Sequence, residues 1–219
     1  MSVQALIYGL LLAPVLGLVL NVLGYRSFRR PAAGWIATVA VTASAVFSGL
    51  LYISYQEPVN WVLYRWIETD LFSLTIGFHV DWLTVLMLLV VSSVSACVHL
   101  YSIEYMEEDE GFNRFFVYLN LFVFSMFVLV TAHNLPMMFI GWEGVGLCSY
   151  LLIGFWYEKE SARRAGQKAF VVNRIGDFSF LLGMILWLKF FGTFSFVGVE
   201  ETLANASLYQ LWSVGLLLF

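Results

Sequence analysis

Residues 136–157 read PMMFIGWEGVGLCSYLLIGFWY, a long apolar run with a single carboxylate, Glu143, inside it. Its length suits a membrane-crossing helix, which takes about 20 apolar residues. At ~1.5 Å of rise per residue, Glu143 lies roughly 10 Å along the axis from Pro136. That is about a third of the way across a hydrocarbon core of about 30 Å. A charge at such a depth costs on the order of 2.5–3.5 kcal/mol on insertion scales. A side chain placed there is therefore paired, neutralised or useful.

The rest of the chain supports a bilayer setting. It has 219 residues, 61% hydrophobic and 12% charged, against about 25% charged in soluble domains. The net charge of -4 decides little, because in membrane proteins the placement of charge carries the information. Cys97 and Cys148 both fall in apolar runs, too few and too separated for a disulfide scaffold or a zinc site, and read as packing residues. No haem, iron–sulfur or nucleotide motif is present. No Lys or Arg precedes the first apolar run; Arg26, Arg29 and Arg30 follow it, the reverse of a secretory signal.

Upstream of the central run, apolar segments at about 6–23, 35–55, 82–101 and 115–131 read as four spans, separated by a short basic linker at 24–34 and an acidic loop at 104–113. The acidic loop offers a docking surface for a basic partner or, more plainly, a solvated loop. His133 and Asn134 form a tight turn before the fifth span. Between spans two and three, Phe72, Leu74, Ile76, Phe78 and Val80 alternate with polar or small residues, and 61–67 is aromatic and β-branched. Period two predicts a β-hairpin at about 58–81, with its turn at 68–70. It belongs outside the bilayer, since an open sheet edge cannot face lipid. Downstream, 158–168 reads as a polar loop, 169–191 as span six, 192–207 as a soft loop and 208–219 as the start of a seventh span. The fold class is an all-α polytopic membrane protein with one extramembrane hairpin. One set of alternating loops collects Arg26, Arg29, Arg30, Arg114, Lys159, Arg163, Arg164, Lys168 and Arg174, and the other only Arg65 and Lys189. The basic side is cytoplasmic by the positive-inside rule, which puts the N-terminus and hairpin outside.

Span six carries a second anomaly, Asn173-Arg174-Ile175-Gly176-Asp177. Arg174 and Asp177 are three apart and share a helix face. Counting along antiparallel helices, Glu143 sits about 10 Å from the outer surface and Asp177 roughly 17 Å. A lone carboxylate in a low-dielectric site has its pKa raised by desolvation, and a nearby cation lowers it again. A cation that moves can thus load and eject a proton. Glu143, Asp177 and Arg174 are the proton-transfer candidates, with His133 and Lys168 secondary. The alternative is structural: a hydrogen-bonded buried carboxylate and an ion pair that locks two helices. His99 and His133 could each pass protons, or be interfacial residues. Gly141, Gly144 and Gly146 permit close helix approach and leave room for water near the carboxylate; they are not a phosphate loop. His79 and Asp81 read as structural, and Asn205-Ala206-Ser207 as a chance sequon.

GWEGVGLCSYLLIGFWY followed by QKAFVVNRIGD, with VDWLTVLMLLVVSSVSACVHLYSIEYM and FFVYLNLFVFSMFVLVTAHNLPMMFIGWE upstream, resembles the L-type subunit of respiratory complex I, the proton-pumping NADH:quinone oxidoreductase. The resemblance is good over about 60–190 and looser elsewhere. It implies an antiporter-like helix bundle, shared with subunits of multisubunit sodium/proton antiporters, in which two inverted five-helix repeats each contain a broken helix. Residues 1–112 would supply three preliminary spans with the hairpin, and 113–219 the start of the first repeat. The family's glutamate on helix five falls on Glu143, and its arginine–aspartate pair on Arg174 and Asp177. Its lysine partner on helix seven would lie past Phe219, as would the second repeat and a long lateral helix. The implied function is a proton-translocating membrane subunit, part of an enzyme complex but without a redox centre, cofactor or metal of its own. NADH, FMN, iron–sulfur clusters and quinone would belong to partner subunits. The implied neighbours are other membrane-arm subunits, an adjacent antiporter-like subunit among them, and the lipid bilayer, with no nucleic acid. The implied location is the bacterial inner membrane. The alternatives are a sodium/proton antiporter subunit, a structural membrane-arm scaffold, and a membrane-bound hydrogenase arm.

Overall fold

The computed structural model describes residues 2–25, 30–69 and 72–218. Arg26, Arg29 and Asp70, and the side chain of Arg30, lie outside that description. The elements are α1 (Val3–Leu23), α2 (Arg30–Ser54), β1 (Val59–Glu68), β2 (Ser73–Val80), α3 (Trp82–Tyr105), α4 (Phe112–Val130), α5 (Leu135–Ile153), α6 (Glu160–Phe191), α7 (Glu200–Ala204) and α8 (Leu208–Leu218). Among the described residues, α1 to α6 are the helices long and apolar enough to cross a membrane. The chain is a multi-pass integral membrane protein.

Local chemistry starts several of these helices. The Ser2 hydroxyl accepts from the Ala5 amide at 3.3 Å, Asp81 Oδ1 from Thr84 at 2.7 Å, and Asn134 Oδ1 from Met137 at 2.9 Å. Each satisfies an amide that the first turn leaves without a helical partner. At Asp81, partial burial works to raise the carboxyl, but hydrogen bonds from Thr84 and the nearby His79 prevail and hold it below the usual carboxylate range.

Helices α1 to α4 pack as one group. Helix α5 lies on α4, α6 on α5, and α8 on α6. Inside a bilayer the hydrophobic effect does not draw helices together, so close packing and interhelical polar contacts must do so. Ser44 Oγ donates to the Leu10 carbonyl at 2.9 Å, tying α2 to α1, and the Ser48 and Ser92 hydroxyls meet at 2.7 Å across α2 and α3. Two apolar clusters fill the group. One holds Leu10, Val41, Phe78, Leu88, Val123 and Phe127; the other holds Ala33, Met106, Phe112, Phe116 and Phe155.

The hairpin is antiparallel, with register shifts between Val62 and Tyr64 and between Arg65 and Ile67. It sits against the ends of several helices. The His79 amide donates to the Thr131 carbonyl at 3.1 Å, and Asn134 Nδ2 donates to the Thr75 carbonyl at 2.6 Å. Trp61 Nε1 donates to the Tyr8 hydroxyl at 3.1 Å, and Phe72 meets Phe194 edge-on. The bulged residues Leu63 and Trp66 line an apolar cavity of about 440 Å³ against α1, α4 and α5. The start of α1, the α4–α5 turn and the segment after α6 therefore share the hairpin end of the bundle.

Several boundaries differ from those read in the sequence. Residues 160–168 are not a loop but the first turns of α6, since Glu160, Ala162, Arg164 and Lys168 are good helix formers and Glu160 pairs with Arg164 at 2.6 Å. Helix α2 begins at Arg30 rather than Trp35, with Pro31 in its first turn, where a missing N–H costs nothing. The loop at 192–207 contains α7. Cys97 faces outward, while Cys148 is buried in the packing. His99 is buried among the helices, 1% exposed.

Candidate functional site

Helix α5 presents two faces. Gly141 lies so close to α4 that a Cβ there would stand 2.5 Å from the Leu129 amide nitrogen and 2.6 Å from its Cα. A Cβ on Gly144 would stand 2.6 Å from Ser125 Oγ. This seam requires side-chain-free positions and sets the rotation of α5. Glu143 is two residues beyond Gly141, or about 200° around a helix of 3.6 residues per turn. Its carboxylate thus points away from α4, toward α6. The glycines at 141 and 144 face α4 rather than opening space beside the carboxylate.

On α6, Arg174 completes the site. Its Nη1 forms an ion pair with Glu143 Oε2 and stands 3.5 Å from Asp177 Oδ2. One guanidinium terminus thus faces two carboxylates on two helices. Asp177 is 5% exposed, and its other oxygen accepts from Trp142 Nε1 at 2.8 Å. Phe170 lies under the guanidinium at 4.6 Å from the ring centroid, within cation–π range. Arg174 Nε has no hydrogen-bond partner among the described residues. Asn173 approaches the Gly146 position on α5. Glu143 is therefore not a solitary carboxylate but half of an ion pair, and the cation beside it comes from the neighbouring helix.

The structure brings Glu143, Arg174 and Asp177 into one cluster. It does not bring in the two secondary candidates. His133 lies in the turn before α5, more than two helical turns away along the chain. It is buried there, and its carbonyl accepts from the Phe196 amide at 3.3 Å. Burial and, secondarily, His79 hold its imidazole below the ordinary value. Lys168 is exposed, six residues before Arg174, and is not in an ion pair among the described residues. Trp142 and Phe170 are the partners that sequence reasoning missed. The signal for Trp142 was slight: an indole N–H in an apolar span needs an acceptor.

The arrangement can exchange a cation between two carboxylates without breaking the cluster, because Nη1 already faces both. No group of three or more His, Cys, Asp or Glu among the described residues is placed to hold a metal ion.

Comparison with known proteins bears on this geometry. A family described as "NADH-Ubiquinone oxidoreductase (complex I), chain 5 N-terminus" matches residues 66–116. One described as "NADH:quinone oxidoreductase/Mrp antiporter, TM" matches residues 132–219. NADH-quinone oxidoreductase subunit L of Rickettsia conorii is 39% identical over 220 residues, covering 98% of this chain and 34% of that protein. Subunit L of Mycobacterium tuberculosis strain H37Rv is 44% identical over 163 residues, covering 74% of this chain and 26% of its own length. The chloroplastic NAD(P)H-quinone oxidoreductase subunit 5 of Nephroselmis olivacea is 43% identical over 206 residues, covering 89% and 32%. A chain of the membrane-bound sulfane sulfur reductase, an archaeal respiratory membrane complex, has the same fold, with a TM-score of 0.76 over 99% of this chain and 43% of that one at 18% identity. The chain spans about a third of the length of the curated relatives it matches. With two successive family matches and a 39% identical relative aligned over 98% of it, this chain belongs to the family of L-type, antiporter-like subunits of NADH:quinone oxidoreductase.

Proposed function

We propose that this chain is part of a proton-translocating membrane subunit of an NADH:quinone oxidoreductase, in which Glu143 carries the proton and Arg174 and Asp177 set its occupancy. The observation that supports this reading is the single Nη1 atom of Arg174 facing both Glu143 and Asp177. The guanidinium can lean toward Glu143 or toward Asp177, so its position decides which of the two carboxylates has the cation closest to it. Redox chemistry belongs to other subunits, which would hold the flavin, the iron–sulfur clusters and the quinone. The hairpin end faces outward across a bacterial inner membrane, and the partners are further membrane-arm subunits.

The test is Glu143→Gln in the full-length subunit within its assembled complex, with proton uptake measured per NADH oxidised. The expected result is a lower proton-to-electron ratio with NADH oxidation retained. An unchanged ratio overturns the role of Glu143. Loss of assembly with an unchanged ratio in the surviving complex would favour a purely structural cluster.

A second reading is favoured by one observation: residues 132–219 match a family described as shared with Mrp antiporters. Under it, the subunit exchanges sodium for protons in a complex without flavin. Co-purification of flavin and iron–sulfur subunits excludes it.

A further inference from the structure

A second polar centre lies on the opposite flank of α4 from Gly144, among α1, α3 and α4. Asn120 is 0% exposed, His99 1% and Asn21 1%. His99 Nδ1 bonds to the Ser95 carbonyl of its own helix at 2.8 Å. The acceptor there is a carbonyl, so Nδ1 carries the hydrogen and the neutral ring presents its Nε2 lone pair outward. That Nε2 has no hydrogen-bond partner among the described residues, nor does either end of the Asn120 amide. The amide faces His99 without meeting hydrogen-bond geometry, and since both of its ends are unpartnered, turning it over changes nothing. Asn21 donates to the Ala33 carbonyl at 3.1 Å, but its Oδ1 also lacks a partner among the described residues.

These groups share one locality. Gly17, one turn before Asn21 on α1, is the point of approach to Asn120: a Cβ there would stand 3.1 Å from Asn120 Nδ2. His99 packs against Phe116, one turn before Asn120. Apolar clusters bound the site on both sides, with Leu10 and Val123 toward the hairpin end and Met106 and Phe112 toward the other. In hydrocarbon, unpartnered amides and imidazoles are costly, and buried polar groups short of protein partners characteristically hold water, each molecule making two to four hydrogen bonds.

We propose that α1, α3 and α4 enclose a water-binding site, with water donating to His99 Nε2, accepting from Asn120 Nδ2, and reaching Asn21 Oδ1 directly or through a second molecule. The donors and acceptors balance: the protein offers three acceptors, His99 Nε2, Asn120 Oδ1 and Asn21 Oδ1, and one amide donor, a set suited to a molecule with two hydrogens to give. The site is distinct from the Glu143 cluster and independent of its reading, since every group is buried by helices of this chain.

The test is a structure of the full-length subunit in its complex at a resolution that shows ordered water. The expected result is density within hydrogen-bond distance of both His99 Nε2 and Asn120 Nδ2. His99→Gln, which keeps an acceptor, is expected to retain that density, and His99→Leu to lose it. Absence of density in the unaltered protein, with Asn120 bonded directly to His99, overturns the proposal. That measurement decides the matter even if a variant fails to assemble.

Discussion

At the scale of single residues, the site sets one cation against two carboxylates. Asp177 is held from two directions, by the Trp142 indole at 2.8 Å and by Arg174 at 3.5 Å. Trp142→Phe keeps an aromatic ring stacked on Phe180 but removes the indole donor. A buried carboxylate oxygen without its donor costs about 1–3 kcal/mol, and Asp177 would recover part of this by drawing Arg174 away from Glu143. The expected outcome is a proton-to-electron ratio below that of the unaltered complex, with Glu143 intact. An unchanged ratio would mean that Trp142 only packs. Glu143, Arg174 and Asp177 were legible in the sequence because charge stands out against an apolar run. Trp142 was not, because a tryptophan in a span reads as packing, and its partner lies 35 positions away. His99 was visible but its burial was not: nearness to a helix end says nothing about whether other helices surround it.

At the scale of elements, the spans were legible because each is an unbroken apolar run, and the hairpin because β2 alternates. The start of α6 was not, since polarity marks where hydrocarbon ends, whereas a helix continues wherever its residues favour it. At ~1.5 Å per residue its 32 residues extend about 48 Å, well beyond a core of about 30 Å. The junction between hairpin and helices was equally hidden, because it depends on contacts between distant segments. Asn134 concentrates that junction, capping α5 with its oxygen and donating to Thr75 with its nitrogen. Asn134→Ala removes both. Loss of such a cap costs about 0.5–2 kcal/mol, so we expect a lower thermal midpoint and earlier proteolysis in the hairpin. An unaltered proteolytic pattern would show that the hairpin is held by its other contacts.

At the scale of the whole molecule, α1 to α4 form a group while α5, α6 and α8 follow in single file. The apolar outer faces of the file, such as Ile175 and Phe178, are exposed. Orientation is the global property most open to test. With Cys97 and Cys148 replaced, Ser73→Cys in the hairpin and Ser161→Cys at the start of α6 are expected to react with a membrane-impermeant thiol reagent from opposite sides, the hairpin from outside. Labelling of both from one side would contradict the assigned topology. The shared Arg174 terminus also has an electrical consequence. Nη1 already stands within reach of both carboxylates, so its charge would travel only on the order of 1 Å in passing from one to the other, about a thirtieth of a core of about 30 Å. A full crossing is worth about 2.3 kcal/mol per 100 mV. Polarisation would thus tilt the balance by less than about 0.1 kcal/mol, leaving the exchange almost indifferent to the resting voltage.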